Sequence, residues 1–287
     1  MVRISIFILT LSLSSYSHAE VLFEGYSKIL ANNAPIGYIV SKYEFDSKSK
    51  KFVSTYFLKT GKQGSEITES LKAIANSDLA PLSYEYTSIV GKDVKTIDAK
   101  FSGAKMTAKI KSGKKTQTVR KDIPKGTFLS TFLVYLMLKS NDGLKTNSNY
   151  DYKAIAEEDA EIYSGLAAVG KEESYLGLKA FKVQNRFKDI NFVSFVNERG
   201  EVLGTNSVSQ GVTTELVADP ATATNGFPLS TVILKQLFGE VPAGKTNMLS
   251  KSEGLNTPNP GKQQGIPQGQ GIQIKSQPTN TAPPASK

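Results

Sequence analysis

Between Glu20 and Glu240 the chain is a succession of strand-length segments rich in Val, Ile, Phe, Tyr and Thr, separated by Gly, Asn, Asp, Ser and Pro. In the first half the predicted strands are Val21 to Leu30, Ile36 to Phe45, Phe52 to Leu58, Glu66 to Ala75, Leu82 to Val90, Val94 to Phe101, Lys105 to Lys111 and Thr116 to Lys121. The second half continues with Tyr150 to Ala156, Glu161 to Val169, Leu178 to Lys188, Ile190 to Val196, Glu201 to Val208 and Val212 to Ala218. Separators as short as Gly91-Lys92-Asp93, Ser102-Gly103 and Ser112-Gly113 join neighbours as antiparallel hairpins. Asn197-Glu198-Arg199-Gly200 reads as another, with Gly200 in a left-handed position.

Two stretches carry helical periodicity. Thr127 can cap a helix running to Lys139 in which Phe128, Leu129, Phe132, Leu133, Val134, Tyr135, Leu136, Met137 and Leu138 leave almost no polar face, so that helix must be buried. Pro228 suits the first turn of a second, amphipathic helix whose stripe is Leu229, Val232, Ile233 and Leu237 and which Gly239 stops. Alternation then says how the strands pack. Ile190, Phe192 and Val196 point one way, but Val193 and Phe195 on the opposite face are also apolar. An antiparallel sheet with two apolar faces has both covered. The expected fold is therefore mainly β: a curled antiparallel sheet, an open or half barrel, with the buried helix against its concave face and the amphipathic helix near the end.

The two ends have different compositions. Arg3 precedes the apolar run Ile4 to Leu13, which is too short for the roughly 20 residues of a membrane span, and Ser17-His18-Ala19 fits a signal-peptidase site before Glu20. Residues 1–19 are thus expected to be a cleaved leader and 20–240 a single domain. From Val241 to Lys287 large apolar side chains almost vanish in favour of Gly, Pro, Gln, Asn, Ser and Thr, which predicts a disordered tail. The chain has no cysteine, hence neither disulfides nor a lipid-modified cysteine, and the expected location is periplasmic or secreted.

The single histidine, His18, leaves with the leader, so the mature chain lacks His, Cys and Trp. That removes Ser-His-Asp and Cys-His catalysis and metal sites built on imidazole or thiolate. Ser47-Lys48-Ser49-Lys50 and Lys59-Thr60-Gly61 match strings of serine-lysine hydrolases, but Ser47 lies in a charged turn and no Ser-Asp-Asn follows. Glu157, Glu158, Asp159 and Glu161 cluster without the glycine-containing spacing of a calcium loop, so they read as a solvated connection. The chain is expected to have no enzymatic activity, no metal and no cofactor.

Two groups of residues remain as binding candidates. Tyr84, Tyr86, Phe132, Tyr135, Phe181, Phe192, Val193 and Phe195 could line an apolar cavity. Lys105, Lys109, Lys111, Lys114, Lys115 and Arg120 fall on one hairpin, where they could meet an anionic surface or protect a sheet edge. No aromatic residue is interleaved with them, which argues against nucleic acid. The net charge is +9, of which Arg3 contributes one and residues 241–287 four, leaving only a mild excess on the β-rich domain.

Ala34-Pro35-Ile36-Gly37-Tyr38 and Pro81-Leu82-Ser83-Tyr84 open strands, and Glu198-Arg199-Gly200-Glu201-Val202 forms a late hairpin. In this order of elements Val21 to Glu240 resembles the periplasmic open-barrel superfamily of lipoprotein carriers and related stress-sensor regulators, and uncharacterised exported bacterial families look similar. The resemblance implies a sheet wrapped around inserted helices and binding of a lipid, an acyl chain or a lipidated partner. The alternative is an interaction module of the cell envelope that docks through a sheet edge or its tail. The leader generates the first prediction: Edman sequencing of the exported protein should begin at Glu20, and a first residue of Met1 would refute cleavage.

Overall fold

The computed structural model describes residues 19–61 and 66–256, with side chains placed up to residue 252. The leader and the tail beyond Asn256 lie outside the described residues. Fifteen strands form one sheet: β1 (Glu20–Ala31), β2 (Ala34–Asp46), β3 (Lys51–Thr60), β4 (Ile67–Asn76), β5 (Pro81–Val90), β6 (Asp93–Ser102), β7 (Lys105–Ser112), β8 (Lys115–Asp122), β9 (Phe128–Leu129), β10 (Asn149–Ala156), β11 (Glu161–Tyr175), β12 (Leu178–Phe187), β13 (Ile190–Val196), β14 (Val202–Ser207) and β15 (Val212–Val217). Their order is β8-β7-β6-β5-β4-β3-β2-β1-β15-β14-β13-β12-β11-β10-β9, so nearly every strand pairs with its sequence neighbour. β1 joins the two halves by pairing antiparallel with β15, and β9 lies parallel to β10. The sheet is curled and unclosed, as the two-faced strands require.

The period-2 pattern decides which face each strand turns inward. On β7, Met106, Ala108 and Ile110 are buried while Lys105, Thr107, Lys109 and Lys111 are exposed. The inward faces of β4 to β7 and of β10 to β13 enclose one core around Phe128, Leu129, Phe132, Tyr135 and Met137. Large plug residues meet small sheet residues, among them Ala73, Ala75, Ala99, Ala108, Ala154 and Ala167, which lets the two surfaces interdigitate.

Phe128, Leu129, Phe132, Tyr135 and Met137 are buried while Leu133, Val134, Leu136 and Leu138 are half-buried, and the plug is not one helix from Thr127. Phe128 and Leu129 are extended and pair with Ala154 and Ile155, Ser130–Phe132 is a 3-10 turn, and only α1 (Leu133–Lys139) is α-helical. Thr127 caps nothing; its hydroxyl is buried without a partner. Sheet pairing at Phe128 and Leu129 overrides their helical periodicity, because the pairing satisfies backbone groups that a buried helix start would leave open.

The convex face is covered where α2 (Pro220–Thr224) and α3 (Thr231–Phe238) lie over Tyr26, Tyr38, Val40 and Phe57. Gly239 ends α3 in the left-handed conformation, at φ 86°. The expected apolar stripe of this helix is only half right. Leu229, Leu234 and Leu237 pack inward, but Val232 is 77% and Ile233 39% exposed. The helix begins three residues later than Pro228 suggests, so Leu229 precedes it and its buried face centres on Leu234.

The tail boundary at Val241 also moves. Residues 241–247 return to β1, and α4 (Met248–Asn256) follows them. Tyr26 donates its hydroxyl to Pro242 O at 3.0 Å, the Gly244 N–H donates to Glu24 Oε1 at 2.7 Å, and the Asn247 amide donates to Glu24 O at 3.0 Å. Glu24 and Tyr26 are buried polar groups on the convex face, and this polar segment supplies the partners they need.

Phe132 is fully enclosed at the centre of the plug. Phe132→Ala should cost about 3–5 kcal/mol, read as a lower urea midpoint at unchanged slope. A loss under about 1 kcal/mol would show that the sheet does not depend on the plug.

Candidate functional site

The plug leaves part of the concave face open. Between α1 and the central strands lies a cleft of about 240 Å³. β1 contributes Phe23 and Ser27, β2 Ile39, Ser41 and Tyr43, α1 Val134 and Tyr135, the β13–β14 turn Gly200, β14 Val202 and Thr205, and β15 Thr214. Register explains the space. Ser41 pairs with Gly25 and Ser27 with Ile39, so small side chains occupy inward positions where the flanking strands carry larger ones. A Cβ on Gly25 would fall 2.7 Å from Leu216 Cδ1 and 2.8 Å from Phe23 Cζ, which is why that position has no side chain.

The walls are held by packing and by hydrogen bonds. Tyr43 lies 5.2 Å from Tyr135 and 6.2 Å from Phe23 between ring centroids, and its hydroxyl donates to Thr131 O at 3.1 Å. At Gly200, with φ 80°, an added Cβ would sit 2.5 Å from Leu138 Cδ1 and 2.9 Å from Val134 Cγ1, so the turn seats α1 directly. Thr205 and Thr214 share a hydroxyl hydrogen bond of 2.8 Å. Tyrosines are the only titratable residues among the lining. Burial raises the pKa of both Tyr43 and Tyr135, so the cleft is uncharged at neutral pH. Its chemistry is apolar contact with a few hydroxyls.

The sequence-derived candidates are scattered relative to this cleft. Only Tyr135 lines it. Tyr84, Tyr86 and Phe132 are packed in the core, and Phe181 lies at the core's edge, beside a separate hollow of about 180 Å³. Phe192 and Val193 border a shallow depression with Leu166, Ala168 and Arg186. Phe195 faces the other side, stacked on Tyr175 at 4.0 Å and 7°. Lys105, Lys109, Lys111 and Arg120 share the outward face of β7 and β8, with Lys114 and Lys115 at the hairpin tip, all away from the cleft. Ser47 stands in a turn organised by the Asp46 carboxylate, which accepts from Lys48 N at 2.9 Å and Ser49 N at 3.2 Å. Sequence reasoning missed Phe23, Ser27, Ser41, Thr205 and Thr214. For Ser27, Ser41, Thr205 and Thr214 the signal was small or hydroxyl residues at the inward parity of nearby strands, which becomes visible only once strand neighbours are known.

The acidic cluster is not simply solvated. Glu157 is buried, accepting from Ser130 Oγ at 2.6 Å and Thr131 N at 3.3 Å. Beside it Lys188 bridges Glu158 at 2.5 Å and Asp159 at 2.6 Å, Lys95 donates to Glu158 O at 2.7 Å, and Lys121 donates to Ala160 O at 3.1 Å. Among the described residues no group of three or more acids is arranged to hold a metal.

No protein-family model and no curated protein matches the chain. Among solved structures, it is similar to a β-barrel-like protein of the domain of unknown function DUF1849 from Brucella abortus, with TM-score 0.50 at 11% identity over 69% of this chain and 98% of that one. The likeness is one of fold. A DUF1089 family protein from Pseudomonas aeruginosa aligns with TM-score 0.34 at 13% identity, over 56% of this chain and 85% of that one. The fold likeness that counts is thus to the β-barrel-like DUF1849 protein.

Glu157 makes stability depend on pH. Burial raises its pKa from 4.5 to about 7, against the hydrogen bonds from Ser130 and Thr131. A raised carboxyl pKa contributes stability that is full below the unfolded value and lost as pH climbs through the folded one, here between 4.5 and about 7, with an amplitude of about 3 kcal/mol. Glu157→Gln, which keeps an acceptor for Ser130, should flatten urea midpoints across this window and make the variant the more stable protein above pH 7. Parallel curves for the two proteins would contradict the assignment.

Proposed function

We propose that this chain is an exported, non-enzymatic binding protein whose concave cleft receives the end of an acyl chain, from a lipid or a lipidated partner. The cleft carries this reading: it is uncharged, walled by Phe23, Ile39, Tyr43, Val134, Tyr135 and Val202, and floored by small hydroxyl residues. At about 240 Å³ it falls just under the ~300–1,000 Å³ of sites that enclose a whole drug-sized ligand, which suits one end of a flexible chain. Burying ~250 Å² of apolar surface at ~25 cal/mol per Å² supplies about 6 kcal/mol before association costs, enough for weak, reversible capture. Resemblance to lipoprotein carriers adds support at the level of fold. Docking through the β8 edge fits less well, because Lys115, Arg120 and Lys121 on that strand oppose strand addition.

Mass spectrometry of organic extracts of the protein purified after export should show acyl-containing molecules, and cis-parinaric acid should gain fluorescence on binding. Ser41→Phe projects a ring into the cleft and should weaken parinaric acid binding at least tenfold. Clean extracts together with no fluorescence gain, or equal binding by wild type and Ser41→Phe, would sink the proposal.

A further inference from the structure

β15 leaves a notch in the sheet. It pairs with β1 only from Tyr26 to Ala31 and with β14 only from Gly204 to Ser207, so Glu20 to Gly25 on one side and Val202 and Leu203 on the other have no strand between them. Residues 242–247 stand in for the missing strand: Glu24 N donates to Thr246 O at 2.9 Å, beside the bonds that tie Gly244, Asn247 and Pro242 to Glu24 and Tyr26. α4 follows, and its Leu249 is buried in one cluster with Phe23, Ala180, Leu203 and Leu216. Phe23 is also a wall of the cleft, and Tyr43, another wall, packs against the same cluster. The notch therefore backs onto the cleft, and Leu249 fills the space beyond Phe23.

The return and α4 are held unequally. Gly244 has φ 69° and packs so closely on Tyr26 that a Cβ would fall 2.8 Å from its ring, so the return is locked to β1. α4 buries a single one of its described side chains, residues 248–252, and that is Leu249. Its start is received by the β13–β14 turn, where Glu201 Oε2 accepts from Met248 N at 2.9 Å, and Ser250 Oγ donates to Ala218 O at 3.0 Å. Glu201 is buried, and its other carboxyl oxygen, Oε1, has no hydrogen-bond partner, with Arg199 Nε 3.8 Å away. An orphaned buried oxygen costs free energy that water would return if α4 moved off, which offsets much of what one buried leucine contributes. Asn247 stands at the joint: its Nδ2 is tied to Glu24 O, while its Oδ1 accepts from Ser250 N at 2.9 Å.

We propose that α4 is a displaceable stopper: a long acyl chain in the cleft passes Phe23 into the place of Leu249, and α4 swings out at Asn247 while the return stays on β1. The cleft of about 240 Å³ then holds only the first part of such a chain, and the notch holds the rest. The chain's entry rests on the ligand reading above, whereas a readily opened α4 follows from the packing alone. A helix held by one apolar side chain opens by itself, without unfolding the sheet. A chain too short to pass Phe23 gains nothing from displacing Leu249, so the device selects for length.

The chain has no cysteine, so Leu249→Cys in the full exported protein carries a single thiol. Its reaction with iodoacetamide should be about a hundredfold faster than that of Ala99→Cys, a core position, and insensitive to urea below the unfolding transition. Saturating palmitate should accelerate the Leu249→Cys thiol about tenfold further; saturating octanoate should not, and neither should affect Ala99→Cys. Hydrogen exchange of the unaltered protein should agree, rising over residues 248–252 with palmitate alone. Occupancy is read by displacement of cis-parinaric acid. Palmitate that displaces cis-parinaric acid without exposing α4, equal exposure by both acids, or α4 opening only with the whole domain would overturn the stopper and leave the cleft reading intact. No binding of cis-parinaric acid or of either fatty acid would overturn the cleft reading, and the stopper with it.

Discussion

The run from Phe128 to Leu138 offers water almost no polar side, and burying it is the constraint on which the molecule's shape depends. No single flat face could cover it. The inward faces of β4 to β7 and of β10 to β13 do so from opposite sides, which obliges the sheet to curl. The fit is one of large against small, with Phe128, Phe132 and Met137 set against a field of alanines. Dense packing of this kind tolerates neither a missing ring nor an added methyl, so plug and sheet define each other's geometry.

The cleft follows from the same constraint. α1 is short, and beyond the contacts that Phe132 and Tyr135 make with Tyr43 and Phe52 the plug leaves part of the concave face open. At the centre, where β1 and β15 join the two halves, Ser27 and Ser41 are too small to reach α1, and the surface between them and Tyr135 stays open. A longer helix or larger side chains on β1 and β2 would have closed it. The space is thus a consequence of where the plug stops and of which residues the central strands turn inward.

Polar groups reinforce the curl where strand pairing ends. β8 and β9, the two ends of the sheet, are not hydrogen-bonded to each other. The tip of the β10–β11 hairpin lies against the first half instead, held by Lys95 and Lys121 through backbone carbonyls and by buried Glu157 through the plug's own turn. The accessible ion pairs around Lys188 add little by themselves, since solvent screens them. Glu157 is the consequential member because its carboxyl is buried and its partners are backbone and hydroxyl donors. On the convex side the Val241–Asn247 return plays the corresponding part for Glu24 and Tyr26.

Read alone, the sequence determined the class and order of the fold. Period-2 alternation such as that of Met106, Ala108 and Ile110, glycine at hairpin tips and an all-apolar segment are local signals, and each acts through its own residues. They were enough to require a curled antiparallel sheet around a buried plug. What they could not determine was anything that depends on which strands become neighbours. Thr127 looked like a helix cap, but Phe128 and Leu129 are drawn into pairing with β10. Val241 looked like the start of a disordered tail, but two buried polar groups on β1 recruit the segment after it. Apolar aromatics such as Tyr84 and Phe132 looked like cavity lining because a core residue and a cavity residue carry the same hydrophobic signature. Only tertiary structure separates them, since a cavity is made by what is missing between side chains, and that absence belongs to no single stretch of chain.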